Sequence, residues 1–439
     1  MSTWTCSLRF SLRSLVREAF CNVWARTFVY PRLAANERSI DKLRAYVAER
    51  AGRIGVPIAG DGTVLARLAS PAGLLTKAEV RRHPEKLVRP RRAGSWIRTI
   101  IKTSGTSGSP LTIVQSMGNV VREAGFVYRQ LRWIGYRHGQ RRAWIRGDVV
   151  FVEHPTAGRF WCRDWVGNML VMSSYHLSNA TIGAYIAELE RFDPVVIHAY
   201  PSSIAALAGW LKAAGRIYKG KALRGVMTSS ETLDSDVRAN VEETFGVRVF
   251  DWYGQAERVA AIGTCEHGSY HVLTDYGNAA LLVSNPESCE LVGTTLNNAA
   301  MPLVRYRTGD AVVPHPPGHD ACPCGRVFPT IQGIIGRQEK IITLPDGRIV
   351  ARLDRIFQHN AHLVEGQVLY RGNGNFVLRV VAADNFTDAD GQAFVEQFLL
   401  RVPGVNVSVD RVGAIPRGPN GKFEFIAVAP EGPDVSPRP

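Results

Sequence analysis

No stretch of this 439-residue chain reaches the roughly 18 consecutive apolar residues of a membrane-spanning helix. Arg9, Arg13 and Arg17 interrupt the apolar residues near the N-terminus, so a secretory signal is not expected. The Arg- and Ser-rich start resembles an organelle transit peptide in composition. Glu18 and the quick passage into helical periodicity favour an ordinary N-terminal helix instead. Cysteine is scarce, with seven residues, too few and too dispersed for the framework of a small disulfide-rich secreted domain. Cys6, Cys21, Cys162 and Cys289 stand singly and read as packing residues, so a reducing cytoplasm is the expected compartment. There is no zinc-finger spacing and no basic motif interleaved with aromatics, which excludes nucleic acid as an expected partner. No repeat or low-complexity tract is visible.

What is present is the composition of a globular protein: 45% hydrophobic and 21% charged residues. The length implies two or three domains. The net charge of +14 is unevenly placed, with Lys and Arg outnumbering Asp and Glu by 19 to 7 in residues 1–100 and by only 34 to 32 in the rest. Such a region suits an anionic ligand or surface, or is simply a solvated basic face.

Residues 1–95 read as helices with basic loops. Ile40, Leu43, Tyr46 and Val47 share one helical face in 39–53. Segments 98–102, 195–199, 222–228 and 248–252 read as strands, and 115–138, 181–192, 204–214 and 233–245 as helices. This alternation predicts an α/β architecture with a largely parallel sheet. After residue 258 short strands and turns predict a more antiparallel, barrel-like section. A break at 337–340 is expected to separate a large domain, 1–336, from a small mobile α+β domain, 337–430, followed by a Pro-rich disordered tail, 431–439.

Five short motifs carry the chemistry. Lys102-Thr103-Ser104-Gly105-Thr106-Ser107-Gly108-Ser109-Pro110 comes first. Its glycines let backbone approach a triphosphate and its hydroxyls donate to phosphate oxygens. No Gly-Lys-Ser/Thr closes it, so it is not a Walker A loop. Then come Tyr253-Gly254-Gln255-Ala256-Glu257, Tyr306-Arg307-Thr308-Gly309-Asp310, Gly336-Arg337 and Asn420-Gly421-Lys422. Asp310 could accept hydrogen bonds from both hydroxyls of a ribose. Lys422, after a Pro/Gly turn, is presented at a loop tip. A separate set, Cys265, His267, His271, Cys322 and Cys324, offers three thiols and one of two imidazoles, a donor set suited to tetrahedral zinc. Unligated, packing thiols are the alternative.

The order of the five motifs resembles the adenylate-forming superfamily, and within it the branch of phenylacetate–coenzyme A ligases and CapK-type capsular polysaccharide proteins. The resemblance covers roughly residues 95–430. It implies that Tyr253 stacks on adenine beside Ser229-Ser230-Glu231, that Gly254 and Gln255 belong to the same pocket, and that Glu257 helps bind Mg²⁺. It further implies that Asp310 and Arg337 approach the ribose. Lys422 would be a mobile catalytic lysine brought in by the C-terminal domain, and Lys340 the hinge. Two departures stand out. Ala256 removes a hydroxyl that many relatives offer the AMP phosphate, and Lys340 replaces the usual acidic hinge residue. Tyr175, His176 and Tyr200 fall where relatives build the acid pocket, with core packing an equal alternative.

The expected activity is ATP- and Mg²⁺-dependent adenylation of a carboxylic acid, followed by transfer to a thiol, coenzyme A being the leading acceptor. Transfer to an amine, a sugar or a carrier protein stays open. A degenerate nucleotide-binding scaffold is opposed by the intact Glu257, Asp310, Arg337 and Lys422. The acid and the oligomeric state are left open.

Overall fold

The computed structural model describes residues 3–91, 97–102, 111–148, 150, 160–178, 180–283, 288–316, 319, 321–336, 342–350, 353–357, 362–382, 386–413, 415 and 425–429. The segments 103–108 and 337–340, the residue Lys422 and the tail 431–439 lie outside these.

Hydrophobic periodicity and end signals explain the helices. Ser39 caps the helix Ile40–Ile54, and Gly55 ends it in the left-handed region at φ 69°. Asp234 accepts the backbone N–H of Asp236 to start Ser235–Phe245, and Gly246 stops it. Pro201 opens Pro201–Ala213, where its missing N–H costs nothing. Three helices, Ile182–Phe192, Pro201–Ala213 and Ser235–Phe245, connect successive strands of a parallel sheet.

Among the described residues that sheet has thirteen strands. Five neighbours run parallel: Arg248–Gly254, Gly225–Ser229, Val196–Ala199, Arg142–Arg146 and Met169–Ser173. Trp161–Asp164 closes that edge antiparallel. The antiparallel texture expected after residue 258 is present in Ala261–Thr264, Tyr270–Val272, Thr330–Gly336, Tyr306–Pro314, Cys289–Thr295 and Gly277–Val283. These strands continue the same sheet, because Ala261–Thr264 pairs directly with Arg248–Gly254.

The helix Met117–Trp133 crosses the antiparallel part and is pinned by a buried ion pair. Arg129 Nη1 lies 2.7 Å from Asp275 Oδ2, with side chains 1% and 0% exposed. The second nitrogen completes a bidentate contact at 3.0 Å, and Asn36 also donates to Asp275. Cys6 and Cys162, read from sequence as solitary, face each other in the core at 2.8 Å between sulfurs. This packs the N-terminal helix Thr3–Arg17 on Trp161–Asp164.

Beyond residue 342 a separate four-stranded sheet forms, ordered Asn406–Arg411, Asn375–Ala382, Leu363–Tyr370 and Ile426–Val428. Its own core contains Val368, Phe376, Leu378, Phe394 and Phe398. The helix Asp388–Leu399 starts with a capping box between Thr387 and Asp390. This is the small α+β unit read from the sequence.

Candidate active site

The carboxyl ends of the parallel strands open into a cavity of about 820 Å³. Ligands of open α/β sheets bind at this edge. One wall is the strand Arg248–Gly254 and the turn that follows it. Tyr253 Oη donates to Asp310 Oδ2 at 2.7 Å, and Tyr306 Oη donates to Glu257 Oε1 at 2.9 Å. Two of the sequence motifs are therefore cross-linked, with Asp310 and Glu257 at 9% and 8% exposure.

A bulge aims Asp310. Glu290 pairs with Ala311 but Val292 pairs with Arg307, so 308–310 sit opposite a single residue. Gly309 takes φ 74° there, a conformation that a side chain would strain. The Thr308 hydroxyl donates to the Leu291 carbonyl and accepts the Asp310 N–H, fixing the bulge. Arg307 forks onto Glu290 and the Gly309 N–H joins the same carboxylate. Gly254 is exposed at the cavity, and a β-carbon there would meet only Trp252 Nε1, at 3.3 Å. The space above it is open to a ligand.

Non-glycine residues with positive φ gather here. Ser230, Arg258 and Arg305 adopt 73°, 54° and 50°, each beside a motif residue. Such conformations persist where surrounding structure over-determines them, often at functional sites.

The Ser229-Ser230-Glu231 segment lines the cavity beside Tyr253. Ser230 Oγ accepts from Arg146 at 2.5 Å, and Ser229 Oγ lies 3.1 Å from His198 Nε2. Burial, with the guanidiniums of Arg146 and Arg142 nearby, drives the His198 imidazole well below its ordinary pKa and keeps it neutral. Glu231 accepts from the Ser202 N–H at 2.9 Å and its hydroxyl at 3.1 Å. It thus caps the helix Pro201–Ala213 from outside.

Sequence reasoning missed the opposite wall. There Arg146 lies over the rings of Trp144 and Tyr200, at 4.9 and 5.0 Å. Arg142 and Trp144 share its strand face, and the N-terminal helix adds Phe10, Arg13, Ser14 and Arg17. The alternation Arg-Ala-Trp-Ile-Arg in Arg142–Arg146, with Ala143 and Ile145 buried, was the available signal.

The three acid-pocket candidates do not line this cavity. Tyr175 and Tyr200 border a separate crevice of about 10 Å³. Their hydroxyls crowd Gly147, where a β-carbon would meet them at 2.7 and 2.9 Å. His176 is buried, stacked on Phe160 and hydrogen-bonded to Ser173 at 2.7 Å. The motif 103–108, Arg337, Lys340 and Lys422 lie outside the described residues. On either side of 103–110, Arg98–Lys102 and Thr112–Ser116 pair antiparallel, and Ile101 and Lys102 line the cavity.

The thiol cluster assembles away from the cavity. One donor atom each from Cys265, His271, Cys322 and Cys324 fall within 4.8 Å of one another, all buried. Cys265 and Cys322 sulfurs are 3.6 Å apart, and Cys324 Sγ is 3.3 Å from His271 Nε2. His267 is exposed and only its backbone N–H reaches the cluster, donating to Cys265 Sγ. The Arg326 N–H donates to Cys324 Sγ in the same way. Between the two histidines the geometry selects His271, because its strand turns it inward against Trp133.

Residues 43–319 match the family model described as AMP-binding enzyme. The CapK protein of Staphylococcus aureus is 21% identical over 80% of this chain and 78% of its own length. A phenylacetate–coenzyme A ligase of Thermus thermophilus is 26% identical over 55% of each chain, so this chain spans about half of that relative. Among solved structures, a 2-hydroxyisobutyryl-CoA ligase in the postadenylation state aligns with TM-score 0.46 and 16% identity, covering 88% of this chain and 86% of that one. With its cross-linked tyrosine–carboxylate wall at the strand ends, the chain belongs to the AMP-binding enzyme family of adenylate-forming acid ligases, in the branch of CapK and the phenylacetate–coenzyme A ligases.

Proposed function

We propose that this chain uses ATP and Mg²⁺ to convert a carboxylic acid to its acyl-adenylate, then transfers the acyl group to the thiol of coenzyme A. The observation that carries this reading is the pair of cross-strand contacts, Tyr253 to Asp310 and Tyr306 to Glu257, on one cavity wall. Asp310 lines the cavity, where its carboxylate would accept from ribose hydroxyls. Tyr253 offers a ring face there to adenine. Glu257 is the acid placed to help hold Mg²⁺, which would neutralise phosphate charge. Lys422 supplies the cation that adenylation requires between carboxylate and α-phosphate. It acts from the small domain, 337–430, which moves about a hinge at Lys340. The large domain, 1–336, holds ATP.

Acid-dependent ATP–pyrophosphate exchange, run without coenzyme A across a set of acids, tests the adenylation step. Exchange stimulated by an acid and abolished by chelating Mg²⁺ is expected. Cleavage of ATP to ADP independent of acid would contradict the reading.

Cys265, His271, Cys322 and Cys324 hold a structural Zn²⁺ in this reading. The donor set fits a closed tetrahedral site, and two backbone N–H groups already point at its sulfurs. The ion would join two loops distant in sequence. Elemental analysis of untagged protein should find about one zinc per chain, as a closed four-ligand site requires. Metal-free protein whose Cys322→Ser variant is as stable as the parent would remove this part of the proposal.

A further inference from the structure

One side of the N-terminal helical run stays uncovered. From Thr3 to Asn36 the chain is almost continuously helical, with π turns at Glu18–Asn22 and Ala25–Val29. Its inward side buries Cys6, Phe10, Cys21 and Ala25. Its outward side is apolar. Of the twenty large apolar side chains exposed among the described residues, nine lie between positions 4 and 28, including Trp4 at 63%, Phe20 at 66% and Phe28 at 60%. No such density occurs elsewhere on the described surface, and patches of this kind mark interaction sites.

The spacing is regular: Trp4, Leu8, Leu12, Val16, Phe20, Trp24 and Phe28 step by four. In an α-helix that step advances about 40° around the axis, so the stripe would spiral out of one plane. The π turns, with their wider i→i+5 loops, reduce the advance over the second half. The stripe therefore stays on one side of the molecule. Trp165, 54% exposed, lies beside the helix, since its N–H is held by Ser11 Oγ.

Charge identifies the occupant. Residues 1–36 carry five arginines against one glutamate. Arg9 is exposed at the edge of the stripe, whereas Arg13, 3.6 Å from Asp148, and Arg17 face the cavity. An anionic lipid surface complements the positive charge, and indoles beside an apolar stripe suit the headgroup boundary. No described helix is long and apolar enough to cross a membrane, so the contact would be interfacial.

We propose that the outward side of residues 4–28 docks the protein on an anionic bilayer surface, the helix lying in the plane of the interface. The inward side of the same helix contributes Phe10, Arg13, Ser14 and Arg17 to the cavity. Docking would hold that cavity about one helix diameter, roughly 10 Å, from the bilayer.

Cosedimentation of the full chain with vesicles of phosphatidylcholine, with and without phosphatidylglycerol, tests this. Binding to the anionic vesicles, weakened by salt, is expected. The double variant Leu12→Ser/Phe20→Ser should bind at least tenfold more weakly, given roughly tenfold per large apolar side chain withdrawn from the bilayer. Arg9→Gln should lose about fivefold. Neither should shift the urea unfolding midpoint. Tryptophan quenching of the parent by brominated anionic lipid gives a readout that needs no variant. Absence of quenching and binding at low salt overturns the proposal. So does unchanged binding of the double variant. A concentration-dependent dimer that the double variant abolishes, without vesicle binding by the parent, would assign this side to a second copy instead.

Discussion

On one wall of the cavity, two hydrogen bonds, Tyr253 to Asp310 and Tyr306 to Glu257, join the strand Arg248–Gly254 and its following turn to the strand Tyr306–Pro314. On the other, Arg142 and Arg146 stand on a strand among aromatic rings, and a helix from the far N-terminus closes over them. The first wall is set by local devices: a bulge, a left-handed glycine and a hydroxyl that fixes both. The second depends on contacts between segments some 150 residues apart, such as Ser7 Oγ to the Arg163 N–H and Ser11 Oγ to the Trp165 N–H. A wall built locally suits a part of the reaction common to every substrate. One assembled from distant segments is free to differ in shape and charge, and is the place for acid selection.

Asp310→Ala gives the sharpest test of that division. It removes the ribose acceptor and leaves the Tyr253 hydroxyl without its carboxylate. Pyrophosphate exchange should fall on the order of 10²–10³-fold, the size typical of losing one positioned group. The loss should be equal for every acid that supports exchange. A loss that varied strongly with the acid would mean the walls do not divide the labour this way.

The first wall was legible because its residues come in short runs with fixed spacing. Tyr253 to Glu257 and Tyr306 to Asp310 each occupy five consecutive positions, and a strand end followed by a turn presents them together. The helices between the parallel strands were legible for the same reason. Their starts and stops depend on Pro201, Asp234 and Gly246, all local signals. Nothing local in 1–36 says that its inward side walls a cavity, or that Cys6 meets Cys162. Those facts arise from tertiary pairing. Tyr175, His176 and Tyr200 were placed by position in the chain, and position does not show which way a side chain turns. The choice between His267 and His271 needed the strand direction of Tyr270–Val272.

Behind the second wall, His176 provides a pH test. Burial, assisted by the positive charge of Arg348, pushes its imidazole down to about 4 from 6.5. The unfolded chain therefore binds a proton that the folded chain refuses between those values. Stability should be complete above about pH 6.5 and fall by up to about 3 kcal/mol as pH drops through the window. Urea unfolding of the parent and of His176→Asn across pH 7 to 4 measures it. The variant should show a shallower decline. Parallel curves would mean that His176 takes up its proton as readily in the folded chain as in the unfolded one, and so is not buried in solution.

Arg146→Met should have a smaller and more selective effect. It removes the charge-assisted contact to Ser230 but keeps an unbranched apolar chain over Trp144 and Tyr200. The KM for the acid should rise about tenfold, as expected for one hydrogen bond to a charged group, while the KM for ATP moves little. An equal rise in both would place Arg146 on the nucleotide side of the comparison.

Glu231→Gln is expected to matter least, although Glu231 belongs to a motif and lines the cavity. Its two carboxylate oxygens accept from the Ser202 hydroxyl and N–H, and Ser202 lies in the first turn of Pro201–Ala213. The negative charge therefore offsets the positive end of that helix. Glutamine keeps one acceptor oxygen and loses the charge, so the cost is the dipole interaction, about 0.3–1 kcal/mol. Urea midpoints should shift by that small amount, and more at low than at high salt. Exchange kinetics should stay within about threefold of the parent, the ratio that 0.6 kcal/mol corresponds to. If exchange instead collapses while the midpoint holds, the Glu231 carboxylate serves the nucleotide directly, and the first wall extends one residue beyond the serines.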